Sequence, residues 1–372
     1  MFELFFNTIF INLIFLYFFL LLNNKFFNLN KLIFNSLISY HLFFTIIYIY
    51  HFQNDAADYK TYLNLTTFNG FNLSKLVSAD LITSICAFFK NFLFFNDYNI
   101  ILFFSLLSLS GIILFYKNLI KLGLEKKIAK FFLFIPGMHF WTCVPGKDSL
   151  ILLLLALFFY FYLDKRIVLS SIFILGVFLL RPHIGFIFFT ALIISEFIFI
   201  KGQKKILVLL LFASIIFLIL NTETFSYFFV DEKILSQNIL LKMFSHFNNY
   251  TGKFVFSTTG YESSNFLFNI FNYLVFPIEF IFRNNSFVVN LLIMTELVIF
   301  ILVIHFILRS KKIVFDKKIF YFLLICCLIH FLIVPQALFN FGINTRQKWM
   351  ILPFLIYFIF LLKNLLVKIK KI

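Results

Sequence analysis

Charge is scarce in this sequence. Only 13% of its 372 residues are Asp, Glu, Lys or Arg, whereas 62% are hydrophobic and the mean hydropathy is +0.99. A soluble chain has about a quarter of its residues charged, so a water-soluble fold is excluded. Cysteine is also sparse. Cys86, Cys143, Cys326 and Cys327 show neither CxxC nor Cys/His ligand spacing, which argues against a disulfide framework or a zinc site. Cys326 and Cys327 sit side by side in an apolar run and read as packing residues. The stretch MFELFFNTIF lacks the basic start of a signal peptide and is expected to be a retained first span. No internal repeat points to a transporter built from inverted halves.

What the sequence has in abundance is long apolar runs. Runs of about 18 residues or more are the length of a membrane-crossing helix. The expected fold is therefore all-α, a polytopic integral membrane protein forming one domain over residues 1–372. Eleven spans are expected, near 4–22, 33–50, 98–116, 129–142, 149–163, 167–180, 184–200, 206–220, 286–308, 319–335 and 349–362. The shorter ones are expected to tilt or to extend into their loops. The 64 Phe residues accompany many Ile, Asn and Lys. That composition suggests AT-rich coding, because Phe and Leu serve nearly alike in lipid.

The net charge of +16 is not spread evenly. One alternating set of connections holds Lys25, Lys31, Lys117, Lys121, Lys126, Lys127, Lys130, Lys165 and Arg166. It continues with Lys201, Lys204, Lys205, Arg309, Lys311, Lys312, Lys317 and Lys318, and the tail adds Lys363, Lys368, Lys370 and Lys371. These 21 basic residues face only three acids, Glu125, Asp164 and Asp316. The opposite set balances 11 basic with 11 acidic residues. Cytoplasmic loops carry the excess of Lys and Arg, so the N-terminus is expected outside and the C-terminus in the cytoplasm. The excess charge is then a topology signal, helped by anionic lipid, and requires no nucleic acid.

With that orientation, every polar stretch of chemical interest falls on the extracytoplasmic side. Two outer segments are long, 51–97 and 221–285. The first contains LVSADLITSICAFFKNFLFF, apolar but broken by Asp80 and Lys90, and is expected to be an interfacial or re-entrant helix. The second ends in FLFNIFNYLVFPIEFIF, near 266–282, which is expected to enter only half of the membrane and to break at Pro277.

Four outer stretches carry candidate residues. In HFQNDAADYKTYL, 51–63, Asp55 and Asp58 are three apart, a spacing that shares one face of a helix. Paired acids can act as a general base, bind a divalent ion or orient a sugar hydroxyl, and Tyr59 and Tyr62 are expected to add aromatic surface. The alternative is an ordinary solvated loop. In VPGKDS, 144–149, Pro145 and Gly146 form a turn. Asp148 and Ser149 are expected to cap the next helix, with Lys147 beside an N-terminus suited to anions. The alternative is a cap with a snorkelling Lys. In LLRPHIGF, 179–186, Arg181 and His183 flank Pro182. Arg offers a fork for phosphate and His a proton shuttle, whereas the plainer reading is an interfacial Arg on lipid phosphate. In NFGINTRQKWMILP, 340–353, Gly342 and Asn344 are expected to break the chain before Arg346 and Lys348 open the last span.

Fainter candidates are Glu296, expected to pair with a neighbouring helix because an acid in lipid is costly, and His305 and His330, expected to be packed. Asp231, Glu232, His246, Tyr261 and Glu262 in the large outer segment have no telling spacing.

The order of these parts has a family likeness. An acid and Tyr stretch follows an early span, VPGKDSLILLLLALFFYFYLDKR opens a later one, a basic hairpin follows, and FILGVFLLRPHIGFIFF ends in a charged, His-bearing turn. Over residues 40–200 this resembles the EpsG/Wzy-type membrane proteins of surface polysaccharide synthesis, with the Arg346 turn a looser match. The layout also looks like the multispan GT-C glycosyltransferases. The resemblance implies transfer of glycosyl units from a polyprenyl-phosphate- or pyrophosphate-linked sugar at the outer face of a bacterial inner membrane, as in O-antigen or exopolysaccharide synthesis. Membrane lipids and proteins of polysaccharide export and chain-length control are the implied partners. Lys147, Arg181, Arg346 and Lys348 are the expected phosphate-binding residues, and Asp55, Asp58, Asp148 and His183 the expected catalytic ones, with no cofactor and no metal. A GT-C enzyme would move a single sugar from a monophosphate carrier. A flippase or transporter of lipid-linked glycan is a further alternative, disfavoured because the charges lie at the outer rim and not through the spans. A structural membrane subunit is the last.

Overall fold

A computed structural model describes residues 2–53, 57–64, 79–199, 287–310, 315–337 and 341–369. All regular secondary structure among them is helical, as expected of apolar runs that must satisfy every backbone N–H and C=O within one segment. Five helical stretches among the described residues are long and apolar enough to cross a membrane: Thr8–Phe27, Lys31–His51, Asp97–Lys121, Pro182–Phe199 and Arg346–Ile369. Together they support an integral membrane protein. The expected span 206–220 and the outer segment 221–285 lie outside the described residues, as do Asp55 and the large-segment candidates.

The chain falls into two compact units, Met1–Gly185 with Leu291–Val314, and Phe186–Asn290 with Phe315–Ile372. In the first, α1 (Phe2–Leu22) runs into a π-helical turn, Asn23–Phe27. Asn28 stops it in the left-handed conformation at φ 53°, which Asn tolerates better than most residues. α1 leaves Phe10, Leu13, Tyr17 and Phe18 exposed, an apolar face suited to lipid. Polar contacts tie it inward, with Asn99 Nδ2 donating to Asn12 Oδ1 at 2.8 Å and to Thr8 O at 3.2 Å. α2 (Lys31–His51) follows, then the short α3 (Asp58–Asn64) and α4 (Ala79–Phe92).

The centre of this unit is the crossing of α5 (Asp97–Lys121) and α8 (Lys147–Leu163). α5 begins with a capping box, Asn96 and Asn99 each accepting from the other's backbone N–H. At the crossing, a Cβ added to Gly111 would lie 2.9 Å from Leu153 N and 3.0 Å from Leu153 Cα. Only a residue without a side chain lets the two backbones approach so closely, the small-residue packing typical of membrane helices. Asn118 Nδ2 also donates to Ala156 O at 3.0 Å across the pair.

Between these helices the structure departs from expectation. The apolar run 129–142 does not form one span. α6 (Lys126–Phe132) ends at Leu133, and α7 (Pro136–Thr142) starts afresh with Pro136 as its first residue. Proline has no N–H to continue a helix and fits best at the first helical position. The later helices hold to their expected ranges more closely: α9 (Ile167–Leu180), α10 (Pro182–Phe199), α11 (Phe287–Arg309) and α12 (Lys317–Ala337).

In the second unit, Lys318 of α12 pairs with the buried Glu196 of α10 at 2.6 Å. Phe188 of α10 meets Phe354 of α13 (Phe341–Ile369) edge to face at 4.6 Å. Contrary to expectation, Gly342 and Asn344 do not break the chain. α13 runs through both, so Arg346 and Lys348 sit within a helix and not in a turn before it.

Candidate functional site

The candidate site forms where α8 begins and where α9 gives way to α10. Pro182 cannot continue α9 and disfavours a helical conformation in the residue before it. Arg181 accordingly adopts extended angles, φ −143° and ψ 90°. The chain re-enters a helix at once, with Gly185 N donating to Arg181 O at 3.0 Å. The chain folds back sharply at this break. A Cβ on Gly185 would stand 2.4 Å from Phe178 Cα, so glycine is required at this position.

At that break the Arg181 side chain meets the first turn of α8. Arg181 Nη2 donates to Asp148 Oδ1 at 2.7 Å, and each side chain is only 11% exposed. An ion pair removed from water to this extent holds its geometry because neither partner has a good alternative. Arg181 Nε is buried and has no hydrogen-bond partner among the described residues. The guanidinium thus spends one donor on Asp148 and leaves Nε without an acceptor among the described residues.

The expected helix cap is not what forms. Gly146 is the N-cap of α8 and makes no side-chain cap bond. Ser149 Oγ donates back to Gly146 O at 2.8 Å, so it is a donor and not the expected acceptor, while the Asp148 carboxylate is committed to Arg181. Lys147 is the first residue of α8 and is half-buried, and His183, also half-buried, lies in the first turn of α10. Of the eight expected site residues, four therefore cluster in the first unit near two adjoining helix ends: Lys147, Asp148, Arg181 and His183. Arg346 and the buried Lys348 belong to the second unit.

The acidic pair is not joined. Asp58 opens α3 and is exposed, and Asp55 lies outside the described residues. Tyr59 and Tyr62 do not offer aromatic surface, because both are buried, at 6% and 5% exposure. Tyr59 turns inward onto the ring of Tyr48, with centroids 6.0 Å apart. His330 is buried as expected, but His305 is exposed. Glu296 is buried, and its carboxylate rests against Gly137 of α7, the neighbouring-helix contact expected of an acid within a span.

Two buried histidines, His41 in α2 and His139 in α7, have no place among the residues singled out from the sequence. One signal was available for both, since each is an ionisable residue inside an expected span. No family model, no curated protein and no solved structure matches this chain.

Proposed function

We propose that this chain is an integral-membrane glycosyltransferase of the oligosaccharide-polymerase type, acting on polyprenyl-linked sugars at the extracytoplasmic face. The observation that carries this reading is the Arg181–Asp148 pair where α8 begins and α9 gives way to α10, with a buried Nε on Arg181 that has no hydrogen-bond partner among the described residues. An apolar helical wall with a guanidinium and an ammonium at its rim suits a substrate whose lipid tail lies in the bilayer and whose phosphates meet the surface.

In this mechanism Arg181 and Lys147 hold the phosphates of the donor and stabilise the charge that develops on the leaving group. A carboxylate or imidazole, Asp148 or His183, takes the proton from the acceptor hydroxyl. That oxygen bonds to the anomeric carbon as the bond from carbon to the phosphate oxygen breaks, and polyprenyl pyrophosphate departs. Arg181 also fixes Asp148 in place, so one side chain serves binding and positioning.

The test is glycan length in the host. Deleting the gene is expected to collapse a ladder of surface or lipid-linked glycan to single repeats, with rescue by the wild-type chain and none by Arg181→Ala. A repeat unit shorter by one sugar would assign the single-sugar transfer instead. Unchanged glycan in every strain would refute both.

A further inference from the structure

His41 and His139 meet in the interior of the first unit. His41 lies at the midpoint of α2, His139 lies in α7, and both are fully buried. Their Nδ1 atoms are 2.8 Å apart. On the far side of each ring stands a backbone carbonyl, Ser105 O at 2.9 Å from His41 Nε2 and Leu133 O at 2.7 Å from His139 Nε2. Ser108 Oγ lies 3.0 Å from His41 Nε2 and 2.8 Å from Ser105 O.

Counting protons decides the state of this chain of contacts. Carbonyl oxygens only accept, and a neutral imidazole has one N–H and one lone pair. Three ring contacts need three protons, and two neutral rings supply two. If both rings are protonated at Nε2, the two Nδ1 lone pairs face each other at 2.8 Å. If His139 carries its proton on Nδ1, its Nε2 lone pair faces Leu133 O. If His41 does so, its Nε2 lone pair faces Ser105 O, and turning the Ser108 hydroxyl onto Nε2 relieves that contact only in part. One added proton matches every donor to an acceptor.

We propose that His41 and His139 form an intramembrane proton-binding couple, with a single proton shared between the two Nδ1 atoms and one positive charge spread over both rings. The proton comes from the aqueous phase, and no other bond is made or broken.

From α2, Tyr40 sets its ring edge-on to His139 at 4.8 Å, and its hydroxyl donates to Phe134 O at 3.2 Å. Thr45 donates to His41 O at 3.0 Å. Residues 99–115 of α5 and 149–159 of α8 contain no titratable side chain. Just after α7, the buried Cys143 donates its thiol to Phe140 O. From α11, Glu296 brings a buried carboxylate to α7, so close that a Cβ on Gly137 would lie 2.0 Å from Oε2. A charge in an apolar interior is tolerated when a countercharge accompanies it, and Glu296 is the acid that reaches α7, at Gly137.

Nitrogen-15 NMR of the histidine-labelled full chain in lipid nanodiscs tests this. The expected result near about pH 7 is one strongly deshielded exchangeable proton correlated with both Nδ1 atoms, and one common titration of the two rings. Two neutral rings with independent tautomers from about pH 5 to 9 would overturn the proposal. His41→Gln is expected to abolish the shared resonance and leave His139 neutral with its proton on Nε2. Ser108→Ala retains all three ring contacts and is expected to retain the resonance. Its disappearance there would mean that the hydroxyl, and not a shared proton, joins the rings. The wild-type and Ser108→Ala spectra decide the matter even if His41→Gln does not fold.

Discussion

Replacing Arg181 with Gln removes one partner of a nearly buried ion pair and leaves the Asp148 carboxylate uncompensated. Each side chain is 11% exposed, so solvent screens the pair little, and the expected loss of stability is about 3–5 kcal/mol. Neutralising both partners, as Asp148→Asn with Arg181→Gln, leaves no buried charge and is expected to return stability to within about 1 kcal/mol of the wild type. Thermal unfolding of wild type, both single variants and the double variant in detergent measures this cycle, and the glycan ladder in the host is run on the same four. Stability is expected to return in the double variant while the ladder does not, because holding phosphate requires the guanidinium itself. A ladder restored along with stability would refute the binding role and leave Arg181 a structural partner of Asp148. A cost below about 1 kcal/mol for Arg181→Gln would refute the burial argument as well.

Three further outcomes follow from packing and titration. Gly185→Ala puts a Cβ 2.4 Å from Phe178 Cα, so the backbone must shift at the break between residues 178 and 185; a loss of about 1–3 kcal/mol is expected in detergent unfolding, and an unchanged midpoint would contradict it. Gly111→Ala, with leucine backbone atoms at 2.9–3.0 Å, is expected to destabilise similarly, whereas Gly146→Ala, whose nearest neighbour is Val144 O at 3.8 Å, is expected to cost less, its loss being only that of a poorer N-cap residue; equal effects would sink the close-approach argument. In α4, burial pushes the Cys86 thiol up to about 12, with Lys90 opposing and Asp97 adding. It therefore stays protonated at neutral pH. Because the thiolate is the reactive form, maleimide is expected to label Cys86 only after unfolding, and rapid labelling of the native chain would overturn this.

Much of the helical layout was legible in the apolar runs. The runs 33–50, 149–163 and 167–180 became Lys31–His51, Lys147–Leu163 and Ile167–Leu180, because a helix in lipid satisfies its own backbone and the run length sets its extent. The break before Pro136 was legible in principle, as proline marks a helix start, but an apolar run on both sides concealed it. The continuation of α13 through Gly342 and Asn344 was not legible. Both residues weaken a helix only modestly, and their neighbours decide whether it continues.

At the site, residue types and helix ends were readable and their partnerships were not. LLRPHIGF marked a chain break on sight, yet nothing along the chain says that Arg181 bonds to Asp148, 33 positions away, and not to lipid. The cap expected from Asp148 and Ser149 did not form because the helix starts earlier, with Gly146 as its N-cap and Ser149 donating to Gly146 O. Tyr59 and Tyr62 looked like a surface because their stretch is polar, whereas both are buried, Tyr59 against the ring of Tyr48.

By itself the sequence determined that the chain is helical, apolar and asymmetric in its charge, because these properties are sums over local residues and their spacing. Only the tertiary structure decided which polar groups face one another. His41 and His139 are separated by 98 positions and are unremarkable singly. Their 2.8 Å approach exists only because α2, α5 and α7 pack together, and in an apolar interior a buried polar atom must find its partner among the few that packing provides.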